Sequence, residues 1–161
     1  MNQPVPLIYA PLRPPARVGQ TGRLLAAAAA AGCLGVLIIA LWLDPSGSGI
    51  GTHERLGLQP CGWAARGGLP CPSCGMTTSF AWLVRGHLAA SFYVQPMGAI
   101  LGLITAMTFW ASLYIAITAK PAHRLLQMVP AGYWLVPLML FGLLAWGWKI
   151  LLRLNGLDGW E

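Results

Sequence analysis

Acidic side chains are almost missing from this sequence: Asp44, Glu54, Asp158 and Glu161 are the only four in 161 residues. All lie in loop-like stretches or at the carboxyl end, which excludes a carboxylate proton relay or an ion path through a membrane. Charge of either sign is scarce: 9% of residues, against roughly a quarter in an ordinary soluble domain. That is too little polar material to coat a water-soluble globule. No phosphate-cradling glycine loop and no Ser-His-Asp set is present. The bases form no cluster either. Ten Lys and Arg are spread along the chain, most of them flanking apolar segments. The net charge of +6 therefore fits membrane orientation, and nucleic acid is excluded as a partner.

What the sequence has in abundance is apolar residues, 57% of the total, gathered into three long runs. The first, 24–43 (LLAAAAAAGCLGVLIIALWL), is uncharged. At the rise of an α-helix it is about 30 Å long, the thickness of a hydrocarbon core. Ala30-Ala31-Gly32-Cys33 faintly resembles a lipoprotein processing site, but apolar residues continue past Cys33 where a polar linker would be needed. The run reads as a retained helix with Cys33 packed as a small hydrophobe. The second span is 97–119, ended by Lys120-Pro121. The third is 131–152, with Tyr133 and Trp134 at one interface and Trp146 and Trp148 at the other. Pro137 falls in its first turns, and Lys149 and Arg153 are expected to snorkel to water.

Residues 1–23, rich in proline, read as a flexible tail, and 153–161 as a short one. Between the first two spans, 58–94 holds a cysteine motif and then an amphipathic stretch, 76–94, with Phe80, Leu83, Val84, Leu88 and Phe92 at helical spacing. Arg85 and His87 near its middle make a fourth span costly, so an interfacial or re-entrant helix is expected. The fold is thus all-α: a three-span bundle, 24–152, with a cysteine-containing turn. Bases lie in shorter connections on the amino-terminal side. The positive-inside rule then makes the amino terminus cytoplasmic and the cysteine loop extracytoplasmic, in a multi-pass protein of the cell membrane.

Three of the four cysteines stand together as Cys61-x9-Cys71-Pro72-Ser73-Cys74-Gly75. With Gly68-Leu69-Pro70, Arg85-Gly86 and Gln95-Pro96, this stretch resembles the bacterial membrane family called domain of unknown function 2752. The resemblance runs from Pro60 to Pro96 and into the second span. Thr78, His87 and Gln95 depart from the family pattern, where Arg, Asp or Asn, and Asn are usual. The resemblance implies a multi-pass membrane protein and brings no activity with it.

The residues leave several chemistries open. Cys61 paired with Cys71 or Cys74 would form a structural staple worth ~3 kcal/mol in the chain-entropy model. Cys71 and Cys74, at a helix amino terminus, could instead be a redox pair with a thiolate of lowered pKa. A zinc site is the third reading, although the motif supplies three ligands where zinc normally takes four. His53 could reach it, whereas His87 lies about 20 Å along a helix from Cys74. No cofactor is otherwise expected. Gly98 and Gly102, extended by Ala106, make a small-residue face for helix packing, open to a partner helix or a second copy. The expected role is a non-enzymatic scaffold or accessory subunit in the lipid bilayer. The alternatives are a membrane thiol–disulfide oxidoreductase using Cys71 and Cys74, or a small metal-binding membrane protein.

Overall fold

The apolar runs form helices at the expected places. The computed structural model describes residues 17–121, 131–157 and 159–160. Along the chain come α1 (Gln20–Trp42), a 3-10 turn (Thr52–Leu56), α2 (Gly62–Gly67), α3 (Met76–Val84), α4 (Leu88–Val94), α5 (Pro96–Thr118) and α6 (Ala131–Leu154). Among the described residues there is no strand. α1, α5 and the Leu135–Leu154 part of α6 are each long and apolar enough to cross a membrane. Their outward side chains, such as Leu25, Ile38, Met107, Trp110 and Leu144, are more than half exposed. That is the surface a bilayer would solvate, and the chain is a multi-pass membrane protein. Residues 1–16 of the proline-rich tail lie outside the described residues. So do 122–130, with His123 and Arg124, and the side chains of Tyr133 and Trp134.

α1 and α5 run antiparallel. The Val18 N–H donates to Ala119 O (2.8 Å) and Arg23 Nε to Ala116 O (3.1 Å), joining the start of α1 to the end of α5. These bonds also explain why the helix begins at Gln20, four residues before the apolar run. Arg23 is a member of the first turn and covers one carbonyl that the end of α5 leaves unpaired.

The stretch 76–94 differs most from expectation. It is two helices, not one, because the chain turns at Gly86 (φ 83°). The Gly86 N–H bonds Leu83 O and the His87 N–H bonds Trp82 O, the paired closure of a helix that ends on a left-handed glycine. α3 and α4 fold back as a hairpin zipped by buried serines. Ser91 Oγ donates to Ser79 O (2.8 Å), while the one Ser79 hydroxyl hydrogen is shared between Ser91 O (3.0 Å) and Gln95 O (3.1 Å). α3 packs against both α1 and α5, and α4 against α5. Leu83, Val84 and Leu88 of the hairpin line an apolar cleft of about 400 Å³ with Leu37 and Leu103, so the hairpin packs its greasy side toward the spans.

Arg85, whose charge makes a single helix costly, is fully employed at the hairpin tip. Its guanidinium donates to Ala40 O (3.2 Å), Leu41 O (2.9 Å) and Ala81 O (3.0 Å), and pairs with Asp44 (3.3 Å). Ala40 and Leu41 are in the last turn of α1, where unpaired carbonyls and the helix dipole favour a cation. Asp44 also meets the exposed Arg55 at 3.2 Å.

Candidate functional site

The cysteine segment is where the elements between and around the spans converge. Cys61 immediately precedes the short α2. The chain then reverses at Gly68 (φ 67°) and delivers Leu69-Pro70 to the box. Residues 71–74 form a tight turn in which the Cys74 N–H bonds Cys71 O at 3.0 Å, and α3 begins at Met76. The outcome is a cluster: the sulphurs of Cys61, Cys71 and Cys74 all lie within 4.8 Å of one another. Cys71 Sγ and Cys74 Sγ are 3.1 Å apart, and Cys71 Sγ also meets Ser73 Oγ at 3.3 Å. Cys61 and Cys71 are half-buried and Cys74 is buried. The fourth cysteine, Cys33, stays half-buried in α1.

Each side of the box is tied to a different helix. Pro70 O accepts from Trp146 Nε1 of α6 (3.0 Å), and Pro72 O from Gln95 Nε2 at the start of α5 (2.9 Å). Gly75, in the left-handed region at φ 89°, has no room for a side chain. A β-carbon there would sit 2.8 Å from Gly49 O, 3.4 Å from Val94 Cγ1 and 3.6 Å from Lys149 Cε. Just beyond the box, Thr78 Oγ1 meets Thr52 Oγ1 at 2.8 Å, both side chains buried. The Thr78 hydroxyl is thus used inside the protein, against the 3-10 turn. Gln95 is wholly buried and holds the box by its amide nitrogen, while its Oε1 is buried with no partner among the described residues.

Lys149 corrects the snorkelling expectation. It is fully buried, and its Nζ donates to Gly49 O at 3.3 Å. The indoles of Trp146 and Trp148 are also spent on the protein, Trp148 Nε1 donating to Tyr93 O at 2.9 Å. The Tyr93 hydroxyl in turn donates to Leu157 O (2.9 Å), so among the described residues these side-chain bonds hold the carboxyl half of α6 and the segment after it. Sequence reasoning missed Lys149 and Gln95 as neighbours of the box. A lysine near the end of an apolar run reads as an interface residue until the loop that it covers is known.

His53 sits on the 3-10 turn and is not part of the sulphur cluster. Gly98 and Gly102 pack on α3 of their own chain: β-carbons added there would press on Ser79 and Met76, and on Leu83, respectively. The small-residue face is therefore already occupied at these two positions, while Ala106 lines the apolar cleft.

Burial, followed by the hydrogen bonds with Cys71 and Cys61, pushes the Cys74 thiol up from an ordinary 9.0 to about 12. This reverses the lowered value expected from the helix amino terminus alone: desolvation outweighs the dipole at this sulphur. The neutral thiol binds its proton more tightly folded than unfolded. In reduced, metal-free protein the resulting stabilisation is complete below pH 9.0 and is lost as pH rises toward about 12. Thermal melting across that range should fall more steeply for this protein than for Cys74→Ala, and parallel curves would contradict it.

No curated protein and no solved structure matches the chain. Residues 61–109, from the first cysteine of the cluster into the middle of α5, match the family model described as protein of unknown function (DUF2752), the family that the cysteine motif resembles.

Proposed function

We propose that this is a non-enzymatic protein of the cell membrane, an accessory subunit or scaffold whose cysteine box is a structural clasp. The observation that carries this reading is the use made of the groups around the box. Pro70 O, Pro72 O and Gly75 are each committed to a different partner element, and among the described residues no His, Asp or Glu joins the sulphurs to act as an acid or base. The amino terminus is placed in the cytoplasm and the cysteine loop outside, following the distribution of bases.

Two measurements test the proposal. Reporter tags at Met1 and Gln127 should read as cytoplasmic and a tag at Ser48 as external; the opposite pattern inverts the orientation. Cys71→Ser should loosen α6 from the box, seen as faster proteolysis around Pro70 and Gly49. Unchanged cleavage would remove the clasp.

A second reading rests on the 3.1 Å approach of Cys71 Sγ to the buried Cys74 Sγ. In thiol–disulfide exchange, the Cys71 thiolate would attack a partner protein's disulfide and release one partner thiolate. Cys74 would then give its proton to the released partner thiolate and attack the Cys71 sulphur, leaving the partner as a dithiol and the box as a disulfide. Catalysed reduction of a disulfide substrate, lost in Cys71→Ser, would favour it.

A further inference from the structure

We propose that Cys61, Cys71 and Cys74 together bind one thiophilic divalent metal ion, zinc foremost, as a three-thiolate site at the end of the bundle. This deepens the structural reading of the box and rests on it only for the consequence, namely that the metal would be what closes the clasp.

The geometry carries the proposal. Zinc bound to thiolates at about 2.3 Å in a tetrahedron holds its sulphurs about 3.8 Å apart. The cluster brackets that value, from 3.1 Å between Cys71 and Cys74 to an upper bound of 4.8 Å for all three pairs. A disulfide would use two of the three sulphurs and leave the third pressed against it. A metal uses all three, and it accounts for the nine-residue excursion through α2 and Gly68 that returns Cys61 beside the box.

The turn itself is suited to chelation. Two cysteines separated by Pro72-Ser73 present both sulphurs on one side of a tight turn. Gly75 then redirects the chain into α3 without a side chain to crowd the site.

The electrostatic setting agrees. Three thiolates around a divalent cation leave a net charge of −1. The amino-terminal turn of α3 begins two residues after Cys74, and the buried Lys149 lies against Gly75. The nearest acids by sequence are engaged away from the sulphurs: Asp44 with Arg55 and Arg85, and Glu54 folded over Gly51. Soft thiolate donors select zinc or a similarly thiophilic ion over magnesium or calcium. Among the described residues no fourth His, Cys, Asp or Glu joins the cluster, so water or an added ligand would complete the tetrahedron.

The test uses the full chain purified in detergent without chelator. The expected result is one zinc per chain. Exchange into cobalt(II) should give thiolate-to-cobalt charge-transfer absorption. Cys61→Ser, Cys71→Ser and Cys74→Ser should each abolish that absorption, while Cys33→Ser leaves it intact. Each serine variant should weaken zinc binding by more than the roughly 10–100-fold typical of losing a group that only hydrogen-bonds to a metal ligand.

Because a serine variant can fail by misfolding, Cys61→His provides the second arm. It should still bind cobalt, with a shifted ligand-field spectrum. Metal-free protein carrying a mapped Cys71–Cys74 disulfide would overturn the proposal, as would a cobalt spectrum that survives replacement of all three cysteines. Zinc that can be stripped without faster proteolysis would sink the clasp but leave the metal site standing. Faster proteolysis in Cys71→Ser of a protein that never held metal would do the reverse.

Discussion

Gly75→Ala is expected to destabilise the protein by about 3 kcal/mol, the sum of left-handed backbone strain and a steric clash. The backbone contribution follows from φ 89°, which an L side chain rarely adopts. The clash follows from Gly49 O, 2.8 Å from the β-carbon position. Because the opposing atom is backbone, it cannot swing away as a flexible side chain would. Gly86→Ala is the matched control. Its φ of 83° imposes the same strain, but nothing lies within 4 Å of the added carbon. It should cost only about 1–2 kcal/mol. Thermal unfolding of both variants in one detergent separates the two contributions. Equal losses would mean that the 49 loop does not rest on the box.

The spans were legible because lipid imposes a simple rule: about twenty apolar residues make one crossing. The runs at 24–43, 97–119 and 131–152 accordingly lie within or end within a residue of α1, α5 and α6. The meeting of three cysteines was legible as a motif but not as a place. Spacing brings Cys71 and Cys74 together through one turn, whereas the return of Cys61 depends on the positive φ at Gly68 and on Trp146 holding Pro70.

What could not be read are long-range polar contacts. Arg85 on a greasy face looks like a penalty until the carbonyls of Ala40 and Leu41, more than forty residues away, are seen to receive it. The break at Gly86 was concealed for a related reason. The apolar positions on either side keep a helical period, and a single glycine within such a pattern does not announce a reversal. The serines that stabilise the hairpin, Ser79 and Ser91, look neutral in sequence and become its central bonds only once the chain has turned.

Gly98→Leu separates two roles that the small-residue face could have. If the face holds a partner helix, the substitution weakens self-association and leaves the monomer sound. The packing of α3 against α5 leads to the opposite expectation. A β-carbon at Gly98 would lie 2.9 Å from Ser79 Cβ and 3.3 Å from Met76 Cα, so even a methyl group meets the main chain of α3. Leucine should push α3 off α5, breaking the bonds of Ser79 to α4 and to Gln95 that set the hairpin. The expected loss is about 3 kcal/mol, at the upper end of the range for overpacking, with membrane insertion and crosslinking between copies unchanged. Gly102→Ala should cost less, because the atom it meets is the end of the Leu83 side chain, and a paired Leu83→Ala should recover most of that loss. Since Ser79 and Gln95 connect the hairpin to Pro72, Gly98→Leu should also loosen the box and make Cys74, buried in the intact protein, open to alkylation. Reduced crosslinking between copies, with monomer stability and Cys74 protection intact, would return this face to a partner helix.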